Sequence, residues 1–197
     1  MRILILTTLV LGMALFGLQA QASANLLADP GFDAQAKGWL GWNTTPWWGG
    51  GGGGGKDSGG AAEIVNTQSR SPSNSVRLFG WGKDWSYGMV AQTVTKGIVG
   101  SEEYEFSAYF KRTANVSTSA VFKVEWLDAG GKMIGYEADV GTAKFDKSYA
   151  ANSWTAVSNK FVSPPGAVGA KCEVVYSKAA GASGDISVDD ISFDVTK

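Results

Sequence analysis

The run Glu103-Tyr104-Glu105-Phe106-Ser107-Ala108-Tyr109-Phe110-Lys111 alternates polar and apolar residues with a period of two. Because successive side chains of a β-strand point to opposite faces, the even-numbered side chains would line a core. The odd-numbered ones, which include Tyr109 and Lys111, would then face outward. The run therefore predicts a half-buried β-strand.

The segment from Ala120 to Leu127 repeats this pattern, with Phe122, Val124 and Trp126 as a core stripe and Lys123 and Glu125 facing outward. Similar stretches, separated by turns rich in glycine and proline, predict strands at 75–79, 88–95, 103–112, 119–127, 153–162, 167–176 and 185–195. No ten-residue window shows a helical period of 3.6. The sequence predicts an all-β sandwich of two antiparallel sheets.

The composition excludes several classes of function. The chain has 197 residues and no histidine, which excludes Ser-His-Asp triads, Cys-His pairs and the familiar zinc sites. Its 17 basic and 18 acidic residues give a net charge of −1, so we expect neither a nucleic-acid partner nor binding to anionic membranes. The single cysteine, Cys172, shares its strand parity with Ala170, Val174 and Tyr176, which predicts a buried thiol.

The N-terminus predicts a secretory signal peptide over residues 1–24. Arg2 precedes an apolar stretch that ends near Leu18, and Ala22-Ser23-Ala24 provides the small residues of a cleavage site. A membrane anchor is the alternative, but the apolar stretch is shorter than the roughly 20 residues that span a bilayer. We expect a secreted protein, extracellular or periplasmic, whose residues 25–197 form one domain.

Residues 49–60 look unlike the rest of the chain. Trp47 and Trp48 precede seven consecutive glycines, Gly49 to Gly55, whose backbone entropy predicts a long flexible loop. The stretch is either a low-complexity expansion in a tolerant loop or a mobile arm that lays Trp47 and Trp48 on a ligand. It lacks the GK[ST] ending of a phosphate-binding loop.

The first residues of the mature chain resemble a known group of proteins. Asn25-Leu26-Leu27-Ala28-Asp29-Pro30-Gly31-Phe32-Asp33, followed by Gly38-Trp39, is similar to the "NLLxNPGFE…GW" segment of extracellular carbohydrate-binding modules of the related families four, nine, sixteen and twenty-two. The resemblance continues in order through 92–94, 104–109, 124–128, 153–154 and 188–193. It implies a jelly-roll sandwich with Trp39, Trp126 and Trp154 in core positions.

The same resemblance implies a structural calcium ion. It places the first and last strands side by side, so that the Gly31 carbonyl and the carboxylates of Asp33 and Asp189 would share one Ca²⁺. Oxygen ligands of this kind are those that calcium prefers. Two departures weaken the expectation: Asp33 stands where the family has glutamate, and residues 69–74 contain no acid.

The resemblance also implies non-catalytic polysaccharide binding. The matching positions are Trp81, Trp85, Tyr109, Lys111 and Glu125, with weaker candidates at Tyr87, Gln92 and Tyr136. An aromatic ring can stack on a pyranose while neighbouring charged groups bond to its hydroxyls. Such a face can equally be ordinary solvated surface.

Two other functions stay open at this point. One is a small glycosidase or lyase that pairs Glu125 with Glu105 or Asp84 as its two carboxylates. The other is a structural matrix or surface protein whose apolar strand edges pack against copies of itself.

Overall fold

The computed structural model describes residues 25–113, 118–138 and 144–196, so the expected signal peptide lies outside the described residues. These residues form eleven strands and no helix, which confirms the all-β prediction. The strands are β1 (Gly38–Trp39), β2 (Trp48–Gly53), β3 (Gly59–Val65), β4 (Ser75–Trp81), β5 (Ser86–Val94), β6 (Glu103–Arg112), β7 (Thr118–Leu127), β8 (Met133–Ala138), β9 (Thr155–Val162), β10 (Gly169–Lys178) and β11 (Asp185–Val195).

Two antiparallel sheets pack face to face. The six-stranded sheet has the order β1-β3-β4-β11-β6-β9, and the five-stranded sheet has the order β2-β5-β10-β7-β8. Inward side chains of both sheets form a single core rich in aromatic residues, with Phe106 and Phe122 in contact across it at 4.5 Å between ring centroids. Each sheet therefore presents one outer face to solvent.

The alternation predicted for β6 and β7 is confirmed. Tyr104, Phe106 and Phe110 are buried, while the residues between them are only partly covered. Trp126 is fully buried on β7, and Cys172 is fully buried on β10. The strands β1, β2, β3 and β8 were absent from the seven predicted stretches.

The glycine run is a strand, so the prediction of a flexible loop over 49–60 is wrong. Gly49 to Gly53 pair with β5 in regular antiparallel register, from Val90 back to Ser86. A Cβ added to Gly51 would lie 2.0 Å from the carbonyl oxygen of Gly60 and 2.5 Å from that of Tyr87. The two sheets meet here backbone against backbone, which only glycine allows. Ladder hydrogen bonds and this close contact offset the entropy that a glycine strand loses.

Within the described residues, no helix is long and apolar enough to cross a membrane.

Candidate functional site

Aromatic rings lie against the outer side of the glycine run. Alternate glycines of β2 face outward, and an added Cβ on Gly50 would come within 2.4 Å of the Trp42 ring. Just beyond the strand, an added Cβ on Gly54 would come within 2.2 Å of the Trp85 ring. The absence of side chains at Gly50 and Gly54 is therefore what lets these two indoles rest directly on the backbone.

These rings form two pairs along one edge of the five-stranded sheet. Trp42 and Trp48 are 5.1 Å apart between centroids, and Trp85 stacks on Tyr87 at 6.1 Å with an interplanar angle of 16°. Trp42 is 62% exposed and Trp85 is 53% exposed. We call Trp42, Trp48, Tyr87 and Trp85 the platform. It extends from Trp48 to Gly54, roughly 20 Å at the rise of a β-strand.

A closed ring of four charged side chains lies beside the platform on the same face. Lys123 Nζ is 2.6 Å from both Glu125 and Glu173, while Lys171 Nζ is 3.2 Å from Glu125 and 2.5 Å from Glu173. Cross-strand register on β7 and β10 sets Lys171 opposite Glu125 and Glu173 opposite Lys123. We call these four residues the ion-pair ring.

The opposite charges of the ion-pair ring stabilise one another. Glu173 is fully buried, and its two oxygens meet the lysines at ion-pair distance without hydrogen-bond geometry. Partial burial disfavours the charged form of Lys123, but Glu125 and Glu173 prevail and raise its pKa. Burial also opposes ionisation of Glu125, and Lys123 and Lys171 together outweigh it, so the pKa of Glu125 is lowered. Lys123 and Glu125 are therefore both charged near neutral pH.

The ring also joins the two edges of the sheet. Lys171 Nζ lies 5.1 Å from the ring centroid of Trp48, and Lys123 Nζ lies 5.2 Å from that of Tyr136 on the opposite edge strand β8. Tyr136 is 55% exposed. The outer face of the five-stranded sheet thus combines flat aromatic rings with fixed hydrogen-bond donors and acceptors, which is the chemistry of sugar recognition.

The structure separates the two carboxylate pairs considered for a glycosidase. Glu105 lies on β6 in the other sheet, so Glu105 and Glu125 face opposite sides of the sandwich. Asp84 lies in the turn before β5, near the Thr118 end of β7, and Glu125 is about 23 Å further along that strand. Glycoside hydrolysis needs carboxyl groups no more than about 9.5 Å apart.

Of the seven predicted sugar-binding residues, Trp48, Trp85 and Glu125 lie on this outer face. Trp47 does not, because the neighbouring residue of a strand points the other way. It is fully buried, packs 5.0 Å from Phe32 and donates its indole N–H to the Asp29 carbonyl at 2.7 Å. The prediction that Trp47 reaches a ligand is therefore wrong.

Trp81, Tyr109 and Lys111 belong to the six-stranded sheet and lie on the opposite outer face. The Tyr109 ring is not open for stacking, because the Arg70 guanidinium lies 3.5 Å above its centroid. Trp81 is 45% exposed and contacts Trp39. The expectation of one site uniting these three residues with Glu125 is wrong.

Three further predictions concern single side chains. Trp39 is 64% exposed, so its predicted core position is wrong. Trp154 is only partly buried. Gln92, a weaker sugar-binding candidate, is buried and bonds through its amide to both the N–H and the carbonyl of Ala28.

The three residues predicted to bind calcium do come together. The N-terminal segment runs along β11, with the Leu26 N–H donating to the Phe193 carbonyl at 3.0 Å. Asp33 Oδ2 and Asp189 Oδ1 both lie within 4 Å of the point where a Cβ on Gly31 would be. Two carboxylates and a carbonyl-bearing turn fit a hard cation that takes oxygen ligands.

The remaining carboxylate oxygens face backbone donors from the loop at 70–74. Asp33 Oδ1 accepts from the N–H groups of Ser73 at 2.5 Å and Asn74 at 3.0 Å, and the Ser73 N–H lowers the pKa of Asp33 despite some desolvation. Asp189 Oδ2 accepts from the Arg70 N–H at 2.7 Å, yet burial raises the pKa of Asp189 to about 6. Among the described residues, no group of three or more His, Cys, Asp or Glu side chains could hold a metal.

Sequence reasoning missed Trp42, Lys171 and Glu173. The odd-numbered parity of β10 indicates that Lys171 and Glu173 share a face, but only the register with β7 reveals the ring. Trp42 lies in the turn between β1 and β2, where no periodicity exists to orient it.

No protein-family model matches the sequence, and no curated protein matches it either. Solved structures do match. TmCBM61 in complex with β-1,4-galactotriose has 16% sequence identity and a TM-score of 0.54, over 88% of this chain and 100% of that one.

Two larger proteins contain a similar unit. The Clostridium thermocellum N-terminal endo-1,4-β-D-xylanase 10B, with CBM22-1 and GH10 modules and xylohexaose, has 17% identity and a TM-score of 0.55 over 82% of this chain. The enzymatically active domain of bacteriophage CBA120 tailspike protein 4 has 14% identity and a TM-score of 0.60 over 87% of this chain. This chain has the fold of carbohydrate-binding modules. It spans only 28% of that xylanase chain and 21% of that tailspike chain.

Proposed function

We propose that this protein binds polysaccharide without cleaving it, through the platform and the ion-pair ring. The observation that carries the proposal is the line of rings resting on a strand made of glycine. Trp42 and Trp85 present flat, solvent-exposed surfaces, although large apolar side chains are normally buried. Side by side along one strand, they offer successive stacking positions to the sugar rings of a chain.

The ion-pair ring supplies the polar half of the same site. Glu125 and Lys171 are about one-fifth exposed at their side chains, so their outer atoms can exchange water for sugar hydroxyls. Their geometry is fixed by the buried Glu173 beneath them. Preorganised donors and acceptors need little ordering when a ligand binds, which favours affinity.

The experiment is a binding screen over neutral glycans, with xylohexaose and β-1,4-galactotriose included because similar folds bind them. Isothermal titration should detect binding to at least one glycan. A parallel assay for reducing sugars should detect no release from the glycan that binds. Release of reducing sugar would favour the enzyme alternative, and a complete lack of binding would exclude the proposal.

A structural surface protein is the second candidate, and one observation favours it. The edge strand β8 exposes Met133 and Ile134, at 52% and 40% exposure. An apolar strand edge can pair with another copy of the chain. Size-exclusion chromatography over a range of concentrations distinguishes the candidates, because self-assembly without glycan binding would support the structural function.

The proposal includes a calcium ion that ties the N-terminal segment to β11. Gly31, Asp33 and Asp189 would hold it, through Asp33 Oδ2 and Asp189 Oδ1. We expect excess calcium to raise the melting temperature, since a ligand at one hundred times its dissociation constant adds about 2.7 kcal/mol to the free energy of unfolding. Differential scanning calorimetry with calcium and with chelator measures this.

Charge-neutral variants test whether the effect arises at this site. Asp33→Asn and Asp189→Asn should each remove the response to calcium, while Asp57→Asn, at an exposed turn position, should retain it. Identical melting curves of the unmodified protein in calcium and in chelator would mean that the site binds no calcium.

Secretion belongs to the same proposal. Expressed with its leader in a secreting host, the protein should appear outside the cytoplasm with an N-terminus at Asn25. Intact-mass spectrometry of the exported protein checks this. A mass that retains residues 1–24 would exclude cleavage by a signal peptidase at Ala24.

A further inference from the structure

A pocket of about 400 Å³ lies at the end of the platform. Trp85 forms part of its wall, and Ser177 and Ser119 continue the outer-face row that begins at Tyr87. Asp146 lines it from the segment after 144. A chain lying on the platform and running past Tyr87 would therefore arrive at this pocket.

The inner end of the pocket is fixed and polar. Ser86, Lys178 and Thr118 lie opposite one another on β5, β10 and β7. Lys178 Nζ donates to the carbonyls of Gly82 at 3.0 Å and Asp84 at 2.9 Å, so the ammonium group is held in place.

Two hydroxyls at this end lack partners. Ser86 Oγ and Thr118 Oγ1 are buried, and neither has a hydrogen-bond partner among the described residues. Buried polar groups in proteins are normally paired, and an unpaired one is unfavourable unless a ligand or a water completes it. Both hydroxyl groups are enclosed within the sandwich, so a ligand reaches instead the hydroxyls of Ser119 and Ser177, which line the pocket from the outer face.

The pocket also contains a hydrogen-bond acceptor, the carboxylate of Asp146. Asp146 Oδ1 accepts the Ser148 N–H at 2.9 Å, and this contact lowers the pKa of Asp146. The carboxylate is therefore ionised and can accept from a hydroxyl group. With Trp85 as a stacking surface, the pocket offers a ring face, donors and an acceptor within the volume typical of small-ligand sites.

We propose that this pocket binds the terminal sugar of a polysaccharide chain whose other sugars lie on the platform. The inference rests on the proposed function and deepens it, because the pocket lies where the platform ends. The protein then binds chain ends, and each polysaccharide chain offers a fixed number of sites whatever its length.

The experiment measures stoichiometry against chain length. Xylan and β-1,4-galactan fractions of defined length are titrated calorimetrically into the full-length mature protein. For the fraction type that binds, the number of protein molecules per chain should remain constant as the chain lengthens. A number that rises in proportion to length would overturn the terminal pocket and leave the proposed function intact. Failure of every glycan in the neutral screen to bind would overturn both.

A small variant tests an accessible hydroxyl directly. Ser177→Ala removes a hydroxyl that lines the pocket, so its melting temperature should be unchanged, while its affinity should fall by about three- to tenfold, the loss of one neutral hydrogen bond. Ser158→Ala, at an exposed position on β9 of the other sheet, is the matched control and should alter neither. Unchanged affinity of both Ser177→Ala and Ser119→Ala would mean that the pocket holds no sugar and would overturn the proposal.

Discussion

Replacing Gly51 with alanine should destabilise the sandwich by more than about 3 kcal/mol, the range of severe overpacking. The new methyl group would meet the carbonyl oxygens of Gly60 and Tyr87 at 2.0 and 2.5 Å. Both atoms belong to paired backbone, so neither can move away without breaking a sheet. Denaturant unfolding followed by tryptophan fluorescence measures the loss.

The adjacent glycine provides the matched control. A methyl group on Gly50 would meet only the Trp42 ring, at 2.4 Å, and a side chain in a turn can swing aside. Gly50→Ala should therefore keep nearly all its stability but lose glycan affinity, because Trp42 no longer rests on the strand. Equal stability of the two variants would mean that residues 49–60 form the flexible loop that the sequence predicts.

Local periodicity was sufficient to predict much of the fold. β6 and β7 each bury one face in a core, so their sequences carry the alternation that identifies a strand and orients its side chains. The buried position of Cys172 followed from the same parity. Such predictions succeed wherever the two faces of a strand meet different surroundings.

The glycine strand could not be predicted in this way, because side chains carry the periodic signal and β2 has almost none. Its order comes from pairing with β5 and from the close approach of β3, and both are tertiary. A sequence of seven glycines contains no information about either contact. For the same reason the opposite orientations of Trp47 and Trp48 became clear only once the strand was known.

The predicted site failed for a different reason. Parity shows that Tyr109 and Glu125 each leave the core side of their own strand, but it does not show which sheet contains the strand. Because β6 and β7 lie in opposite sheets, their outward residues are separated by the whole sandwich. Strand order, which is set by contacts remote in sequence, is what divides outward residues between two faces.

The two faces can be compared by mutating tryptophans on each. Trp42→Ala and Trp48→Ala should each weaken polysaccharide binding by about 1 to 3 kcal/mol, roughly 5- to 150-fold in Kd. The double variant should lose measurable affinity, because the two rings contact each other at 5.1 Å between centroids and form one surface. Isothermal titration with the polysaccharide identified by the screen gives these values.

Trp39→Ala and Trp81→Ala are the controls on the six-stranded face, where the two indoles contact each other at 6.3 Å and are exposed to a similar degree. Loss of an exposed ring should affect stability about equally on either face. A difference in glycan affinity between the two sets of variants therefore does not arise from a difference in stability. Affinity should fall only for the Trp42 and Trp48 variants, because these two rings belong to the platform that lies beside the ion-pair ring. If the Trp39 and Trp81 variants lose binding while Trp42 and Trp48 variants retain it, the polysaccharide lies on the face that carries Trp81 and Lys111.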